Sequence, residues 1–395
     1  MKELKENDIE SWNEEDEGVS PSDSGELNGT AETIGDKYAK TQLRVIRETK
    51  DLSLDYLLTT TTYGKSIINI SPDYQRRLRW SNKKRSLLIE SLLLNIPIPP
   101  LFLYETNYNE YEVVDGRQRV DATIGFLRNN YPLTGLKFWK ELNGKRFNKL
   151  PELIKKGLLR RSLSSIVLLT ETTKPTDEVD IRTILFERLN TGGEKLNPQE
   201  LRNALYDSLF NKLLYELSET PLFRKIWGIP NLKFTEEEDV PEKLLNNTIY
   251  KTMTDCELVL RYFAIKFIYK DILKGSIKTA LDKTMVRYQK ASPEKVDSLR
   301  AEYNDTLSSV YSIFKESTFV LPKTNRMSRP LYDGLMVAYS IGGLSERTLK
   351  SSPVIQSELK ARLLDPDSYE LIVGKGNTVD TIKDRIDLLI KVLYV

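Results

Sequence analysis

Strand-forming patterns occur only in the first half of this sequence of 395 residues, and this asymmetry limits its fold more than any other feature. Short runs of β-branched, aromatic and other apolar residues, at 66–70, 101–105, 111–114 and 164–170, alternate there with segments of helical spacing. Beyond about Ser208, apolar residues recur every three or four positions. The pattern predicts an α+β class, with a small sheet and its helices followed by an all-helical C-terminal region.

Charge and composition divide the chain further. Residues 1–36 carry twelve acidic and two basic side chains and few apolar ones, so they cannot bury enough surface to offset the entropy of ordering. We predict a disordered acidic tail at 1–36, an α+β domain at 37–207 and a helical domain at 208–395. The chain has a net charge of +2, so a tail of −10 leaves +12 on the remainder. Such a balance is compatible with nucleic-acid binding that the tail tempers.

Two absences limit the chemistry and the location. The chain contains no histidine, which excludes mechanisms that use imidazole as a base or as a metal ligand. Its single Cys256 lies in an apolar helical pattern and is predicted to be a core residue. No apolar run approaches the roughly 20 residues of a membrane span, and the N-terminus is acidic. We expect a cytoplasmic protein with no membrane partner, whose chemistry uses carboxylates, arginine, lysine, amides, hydroxyls and a cation such as Mg²⁺.

The segment YEVVDGRQRVDATIGFLRN at 111–129 predicts a strand, a tight turn and a helix. The turn brings four polar side chains to the place where the helix N-terminus favours an anion, namely Asp115, Arg117, Gln118 and Arg119. Two guanidinium groups at such a position suit a phosphate. The alternative interpretation is an ordinary strand-to-helix turn whose arginines face water.

A second candidate site lies around the start of a helix that Ser81 is predicted to cap. Trp80 lies within a stretch of ten residues that holds six cations, and Tyr74 lies two residues before that stretch. The cations are Arg76, Arg77, Arg79, Lys83, Lys84 and Arg85. This composition is typical of a surface that binds a nucleic-acid backbone. The alternative interpretation is a solvated start of a helix.

A glycine loop follows the last predicted strand. A helix at 179–189 is expected to end at Asn190, Thr191, Gly192 and Gly193, whose glycines permit positive φ and a phosphate-binding nest. Loops of this composition usually only turn the chain. The next helix is predicted to begin at Asn197 as N-cap, with Pro198 in the first turn and Glu200 in a capping box.

Four motifs in this order resemble the N-terminal domain of GmrSD-type modification-dependent restriction systems. They are SPDYQRRLRWSNKKRSLLIESLLLNIPIPPLFLYE, VVDGRQR, FERLNTGGEKLNPQELRNALY and DCELVLRYFA, and they cover roughly residues 40–345. The resemblance implies a ParB/sulfiredoxin-like core with a mixed sheet. In that family an Asp-Gly-Gln-Gln-Arg motif is associated with nucleoside triphosphate binding and hydrolysis, which regulate attack on modified phage DNA.

The resemblance also implies roles for individual residues. Magnesium with a nucleoside triphosphate would be the cofactor, Asp115 would bind the ion or polarise water, Gln118 would position that water, and Arg119 would hold phosphates. Nucleotide binding is further expected of eight residues, which are Gly116, Arg117, Gln75, Arg76, Asn190, Thr191, Gly192 and Gly193. Arg117 stands where the family usually has Gln. The DNA-binding residues are expected to be Arg77, Arg79, Lys83, Lys84 and Arg85.

Two alternative functions remain possible, and the chain departs from the family in one respect. The chain could be a DNA-binding module without enzymatic activity, or a metal-dependent ParB-like nuclease with Asp115 and Glu90 as ligands. Many relatives continue into a His-Asn-His nuclease domain, which a chain without histidine cannot form. We expect DNA as a partner, and the cutting activity is expected either to be absent from this polypeptide or to be supplied by a partner, with a separate nuclease or methyltransferase subunit as a candidate.

Overall fold

The computed structural model describes residues 47–61, 67–69, 80–169, 197–206, 208–232, 241–273, 275–343, 347–374, 376 and 378–395. Their contacts divide them into two compact units, one within residues 22–196 and one that includes Asn197–Val395. The predicted tail at 1–36 and the predicted helix at 179–189 lie outside the described residues.

The first unit contains a five-stranded mixed sheet. Its strands are β1 (Arg47–Ser53), β2 (Ile68–Asn69), β3 (Leu101–Asn107), β4 (Glu110–Asp115) and β5 (Ser162–Leu168), in the order β1-β5-β3-β4-β2. β1 pairs antiparallel with β5, and β3 with β4, whereas β3 and β5, like β2 and β4, run parallel. β3 and β4 form a hairpin and contain the two runs, 101–105 and 111–114, that the sequence pattern predicts as strands.

Strand β1 has no strand pattern in its sequence, RETKDLS, because charged residues dominate it. Among the described strands it lies at a sheet edge, where charged side chains are tolerated and discourage further pairing. The helix that follows begins at Leu54, after Ser53 accepts a hydrogen bond from the N–H of Tyr56. Leu52 therefore belongs to β1.

Among the described residues, four α-helices accompany the sheet, namely α1 (Leu54–Thr60), α2 (Asn82–Leu93), α3 (Arg117–Leu127) and α4 (Glu152–Leu159). As expected, Ser81 caps α2, accepting a hydrogen bond from the N–H of Lys84. Helices α2 and α3 pack together, and Ile89, Val120 and Phe126 are fully buried in the core they share with the sheet. Burial of each such side chain stabilises the unit by about 1.5–3 kcal/mol.

The second unit is helical, which confirms the predicted class of the C-terminal half. Its helices are α5 (Pro198–Leu205), α6 (Leu209–Ser218), α7 (Pro221–Trp227), α8 (Glu242–Leu245), α9 (Thr248–Lys251), α10 (Thr254–Tyr269), α11 (Ile277–Tyr288), α12 (Pro293–Phe314), α13 (Arg329–Gly342), α14 (Ser352–Leu364), α15 (Pro366–Val373) and α16 (Val379–Leu393). Its described residues form no strand beyond two isolated β-bridges.

Two features of this unit follow from local sequence. The capping box at the start of α5 is complete, because Asn197 accepts hydrogen bonds from Gln199 and Glu200 while the Glu200 carboxylate accepts the N–H of Asn197. Helix α10 is buried over most of its length, with Cys256 in the core, and packs against α6, α11, α13 and α16. Among the residues that the structure describes, no helix is long and apolar enough to cross a membrane.

Candidate functional site

The turn between β4 and α3 depends on a glycine. Gly116 has φ 91°, and its carbonyl accepts the N–H groups of Arg119 and Val120 at 3.0 and 3.1 Å. A Cβ at this position would lie 2.4 Å from Cδ2 of Leu101 and 2.9 Å from Nη2 of Arg119. Glycine is therefore required both by the left-handed conformation and by the guanidinium that passes over its Cα.

Arg119 connects this turn to the proline-rich segment before β3. Its Nη2 lies 2.8 Å from Oδ2 of Asp115, and its Nη1 donates to the carbonyls of Pro99 and Pro100, the latter at 3.1 Å. The geometry arises because β3 and β4 are antiparallel, so the start of β3 and the end of β4 share one edge of the sheet.

The Arg119 side chain is 12% exposed. Burial lowers the pKa of its guanidinium, and Asp115 opposes that shift. Its contacts with Asp115 and the two prolyl carbonyls use three of the five guanidinium N–H donors, and burial of the side chain limits the access of a phosphate to the other two. The contacts thus indicate that Arg119 positions Asp115 and the turn, while its expected direct hold on phosphates stays a prediction.

Gln118 joins the same turn to the start of α2. Its Oε1 accepts the N–H of Trp80 at 3.1 Å, and Trp80 immediately precedes the Ser81 cap. An amide oxygen has two lone pairs, so one remains for a water molecule or a second donor. The turn therefore brings together the five predicted residues of its motif, which are Asp115, Gly116, Arg117, Gln118 and Arg119. Its first helical residue, Arg117, is partly exposed.

Several predicted site residues lie outside the described part of the chain. They are Gln75, Arg76, Arg77 and Arg79 before α2, and Asn190, Thr191, Gly192 and Gly193 before α5. Their expected roles in binding nucleotide or DNA stay predictions.

The three described cations of the basic cluster differ in their surroundings. Lys83 and Lys84 are exposed, and Nζ of Lys84 lies 4.8 Å from the ring centroid of Trp80. Arg85 is only 9% exposed, and its guanidinium carbon lies 5.5 Å from the ring centroid of Tyr131. A buried guanidinium beside a ring has little access to a DNA backbone, so the contacts of Arg85 give no support to its expected role, which stays a prediction.

Glu90 of α2 is held by the backbone of a distant loop. Its carboxylate accepts the N–H groups of Lys137, Phe138 and Trp139 at 2.8–3.0 Å, and its side chain is buried. Burial by itself would raise the pKa of Glu90, but hydrogen bonds from Trp139, Lys137 and Phe138 outweigh it and lower the pKa. The carboxylate is thus charged and already occupied, which favours an anchoring role over the predicted role as metal ligand.

The described residues contain no group of three or more Asp, Glu or Cys side chains arranged to hold a metal ion. Of the two predicted ligands, Asp115 is the accessible one, with 36% of its side chain exposed. A magnesium ion that arrives on a nucleotide needs only one or two protein carboxylates, since phosphates and water supply its other ligands. Asp115 fits that role, although Arg119 occupies its Oδ2.

Charged residues of the motifs in the helical unit form buried ion pairs. Glu257 of α10 lies 3.4 Å from Arg202 of α5 and 3.0 Å from Arg329 of α13. Arg261 pairs with Asp333, which is 2% exposed. These pairings were not foreseen. The signal that could have indicated them is the presence of charged residues within an otherwise apolar helix, since such charges are kept only when paired.

Residues 58–206 match the sequence profile of the family described as "GmrSD restriction endonuclease, N-terminal domain". The matched range contains the turn at 115–119, helix α2 and four of the five strands. No curated protein and no solved structure gave a significant match.

Proposed function

Since residues 58–206 belong to the GmrSD N-terminal domain family, we propose that this chain is the nucleotide-binding, regulatory component of a prokaryotic DNA restriction system. The description of the family supports the restriction system, and the turn at 115–119 supports the nucleotide. The observation that carries the proposal is that Asp115, Arg117 and Gln118 lie together at the N-terminus of α3. Arg119 holds this turn in place through its ion pair with Asp115.

The triphosphate would bind at the first turn of α3. Backbone N–H groups and the helix dipole attract an anion there, and Arg117 adds a charge beside it. Arg119 supports this geometry through Asp115 and the prolyl carbonyls. Asp115 would take part in holding magnesium, which, when bound, neutralises phosphate charge and favours phosphoryl transfer.

Hydrolysis would require a positioned water molecule. Gln118 can accept a hydrogen bond from such a water with the second lone pair of Oε1, while the N–H of Trp80 keeps the amide in place. Fixed dipoles and charges of this kind lower the barrier without moving during the reaction. Arg117 stands where the family usually has Gln, so binding without turnover is the second outcome that this site allows.

The two rival functions make different predictions at this site. The contacts of Glu90 give little support to the metal-dependent nuclease, because the side chain is buried and its Oε1 already accepts three backbone N–H groups. A DNA-binding module without enzymatic activity would use the same arginines but would show no affinity for a free nucleotide.

Calorimetry of the full chain with the four Mg²⁺–nucleoside triphosphates, together with phosphate release, tests the proposal. We expect Gln118→Ala to keep its affinity and lose turnover. Arg119→Ala should bind about tenfold to a hundredfold more weakly, because it loses the charge-assisted contacts that hold the turn. Arg119→Lys should resemble Arg119→Ala, since an ammonium cannot join Asp115 and two carbonyls in the geometry of a guanidinium.

Arg128→Ala, at the other end of α3, is the control for loss of one positive charge. If wild type binds none of the four nucleotides, or if both Arg119 variants bind as wild type does, the site is wrongly assigned. An Arg119→Lys variant with full affinity would show that its charge, rather than its positioning role, is what matters.

A further inference from the structure

Four consecutive side chains at one loop tip face solvent, and two of them are aromatic. Lys137 and Lys140 are exposed, Phe138 is 73% exposed and Trp139 is 37% exposed. Large aromatic side chains are usually covered in a folded protein because their burial is favourable. Two adjacent exposed aromatics between lysines are therefore a candidate binding surface, which we call the 137–140 tip.

The backbone of the 137–140 tip is fixed from both sides. Glu90 binds the N–H groups of three of its four residues, from beneath. The carbonyl of Trp139 accepts the N–H of Leu142 at 2.9 Å, and the N–H of Leu136 donates to Oδ1 of Asn143 at 3.0 Å. Since the backbone is ordered before any partner arrives, little conformational entropy is lost on binding.

The segment of the chain that begins at the tip is strongly basic. Just beyond the end of α2, Leu94 and Ile96 are exposed apolar side chains. Between these two residues, Asn95 binds Nη1 of Arg161 at 2.8 Å. Residues 137–161 contain nine cations and two acids, so a net charge of +7 lies within one segment. This charge selects a polyanion over an apolar protein partner.

The tip lies on the face of α2 that carries Lys83. The loop contacts that face at three successive points. Gly135 lies against the aliphatic part of the Lys83 side chain, and the N–H of Thr134 donates to Oγ of Ser86 at 2.9 Å. The N–H groups of the tip then donate to Glu90. At 1.5 Å per residue, Lys83 and Glu90 are about 10 Å apart along the helix. One cation of the predicted DNA surface and the 137–140 tip thus form one continuous surface.

We propose that the 137–140 tip is a stacking site for an unpaired base of a nucleic acid, with Phe138 and Trp139 against the base and Lys137 and Lys140 against its phosphates. Every base presents a π-face, so stacking on aromatic side chains needs exposed bases but no particular sequence. The inference rests on the proposed function only in taking DNA rather than RNA as the ligand. Paired DNA, whose bases are already stacked, would not use this contact.

The test measures the affinity of the full chain for a fluorescein-labelled oligodeoxythymidine and for a labelled blunt duplex, by fluorescence anisotropy at low salt and without nucleotide. The variant Phe138→Ala/Trp139→Ala should bind the single strand about fivefold to a hundredfold more weakly. Its affinity for the duplex should change less than about twofold. Tyr108→Ala, which removes an 86%-exposed aromatic from the β3–β4 turn, is the matched control and should bind as wild type does.

A second variant tests the lysines. In Lys137→Ala/Lys140→Ala, the negative slope of log affinity against log salt should become shallower by about 1.4 for the single strand, as expected for the loss of two phosphate contacts. Thermal unfolding of each variant should match wild type, because all four side chains are at the surface.

Three results would overturn the proposal. They are unchanged single-strand binding by the double aromatic variant, an equal loss for single strand and duplex, and loss of self-association without any change in DNA binding, which would identify a protein interface. Nucleotide calorimetry on the same variants should give wild-type affinity. A failure of nucleotide binding in wild type would refute the proposed nucleotide site and leave this DNA assay independent of it.

Discussion

Replacing Glu90 by Gln should release the 137–140 tip while the sheet unit stays folded. The carboxylate accepts three backbone N–H groups, and hydrogen bonds to a charged acceptor contribute about 1.5–3 kcal/mol each. Hydrogen bonds to a neutral amide oxygen are about half as strong, so the three bonds together lose about 2–4 kcal/mol of stabilisation. The loss falls on a surface loop whose freed N–H groups can be hydrated, so it should remain local.

Amide hydrogen exchange measures this local opening directly. A change of about 2–4 kcal/mol corresponds to roughly 30-fold to 1000-fold faster exchange at Lys137, Phe138 and Trp139. Amides in the hairpin of β3 and β4 should exchange at their wild-type rates. Glu141→Gln, which removes an exposed acid from the same loop, is the control and should leave the exchange of these three amides unchanged.

The pH dependence provides an independent test of the same contact. The pKa of Glu90 is lower in the folded protein than in the unfolded chain, so the carboxylate stabilises the fold above the unfolded pKa, about 4.3. That contribution is lost as the pH falls through the folded pKa. The difference between wild type and Glu90→Gln should therefore be largest near neutral pH and shrink below about pH 4.3. A difference that does not vary with pH, or unchanged exchange in Glu90→Gln, would refute the anchoring role.

Two further substitutions test the turn and the helical core by chemical denaturation. Gly116→Ala should destabilise the sheet unit by about 2–4 kcal/mol, since it combines left-handed strain with close contacts, whereas Gly144→Ala, at φ 80° with nothing within 4 Å, should show the strain alone. Asp333→Ala should destabilise the helical unit by about 3–5 kcal/mol, because it leaves Arg261 without its carboxylate and Arg385 without the nearby negative charge. If Arg261→Met together with Asp333→Leu is as unstable as Asp333→Ala alone, uncompensated charge is not the cause.

Local sequence determined most of the elements around the candidate site and where two of the helices begin, although the charged strand β1 has no strand pattern. Ser81 and Asn197 cap helices where expected, the residues around Asp115 and Gly116 form a strand, a turn and a helix, and the C-terminal half is helical. These features depend on side chains within about four positions of one another, which is the range over which caps and periodicity act. The same range covers the pair of Asp115 with Arg119, four residues apart.

Tertiary structure decided what each charged side chain of the candidate site contacts. Arg119 donates to the prolyl carbonyls because antiparallel pairing places the start of β3 beside the end of β4. Arg85 is buried although its neighbours Lys83 and Lys84 are exposed, since only its position on α2 faces Tyr131.

The role of Glu90 likewise could not be predicted from the sequence, because its partners are far away along the chain. Its partners follow it by 47–49 residues in the sequence. Neither the helical periodicity nor the capping residues of the two segments predict that contact. The pattern of charges in a sequence does not distinguish a carboxylate that anchors a loop from one that binds a metal ion. The two become distinct only when packing brings a second segment against the helix and determines which groups lose contact with water.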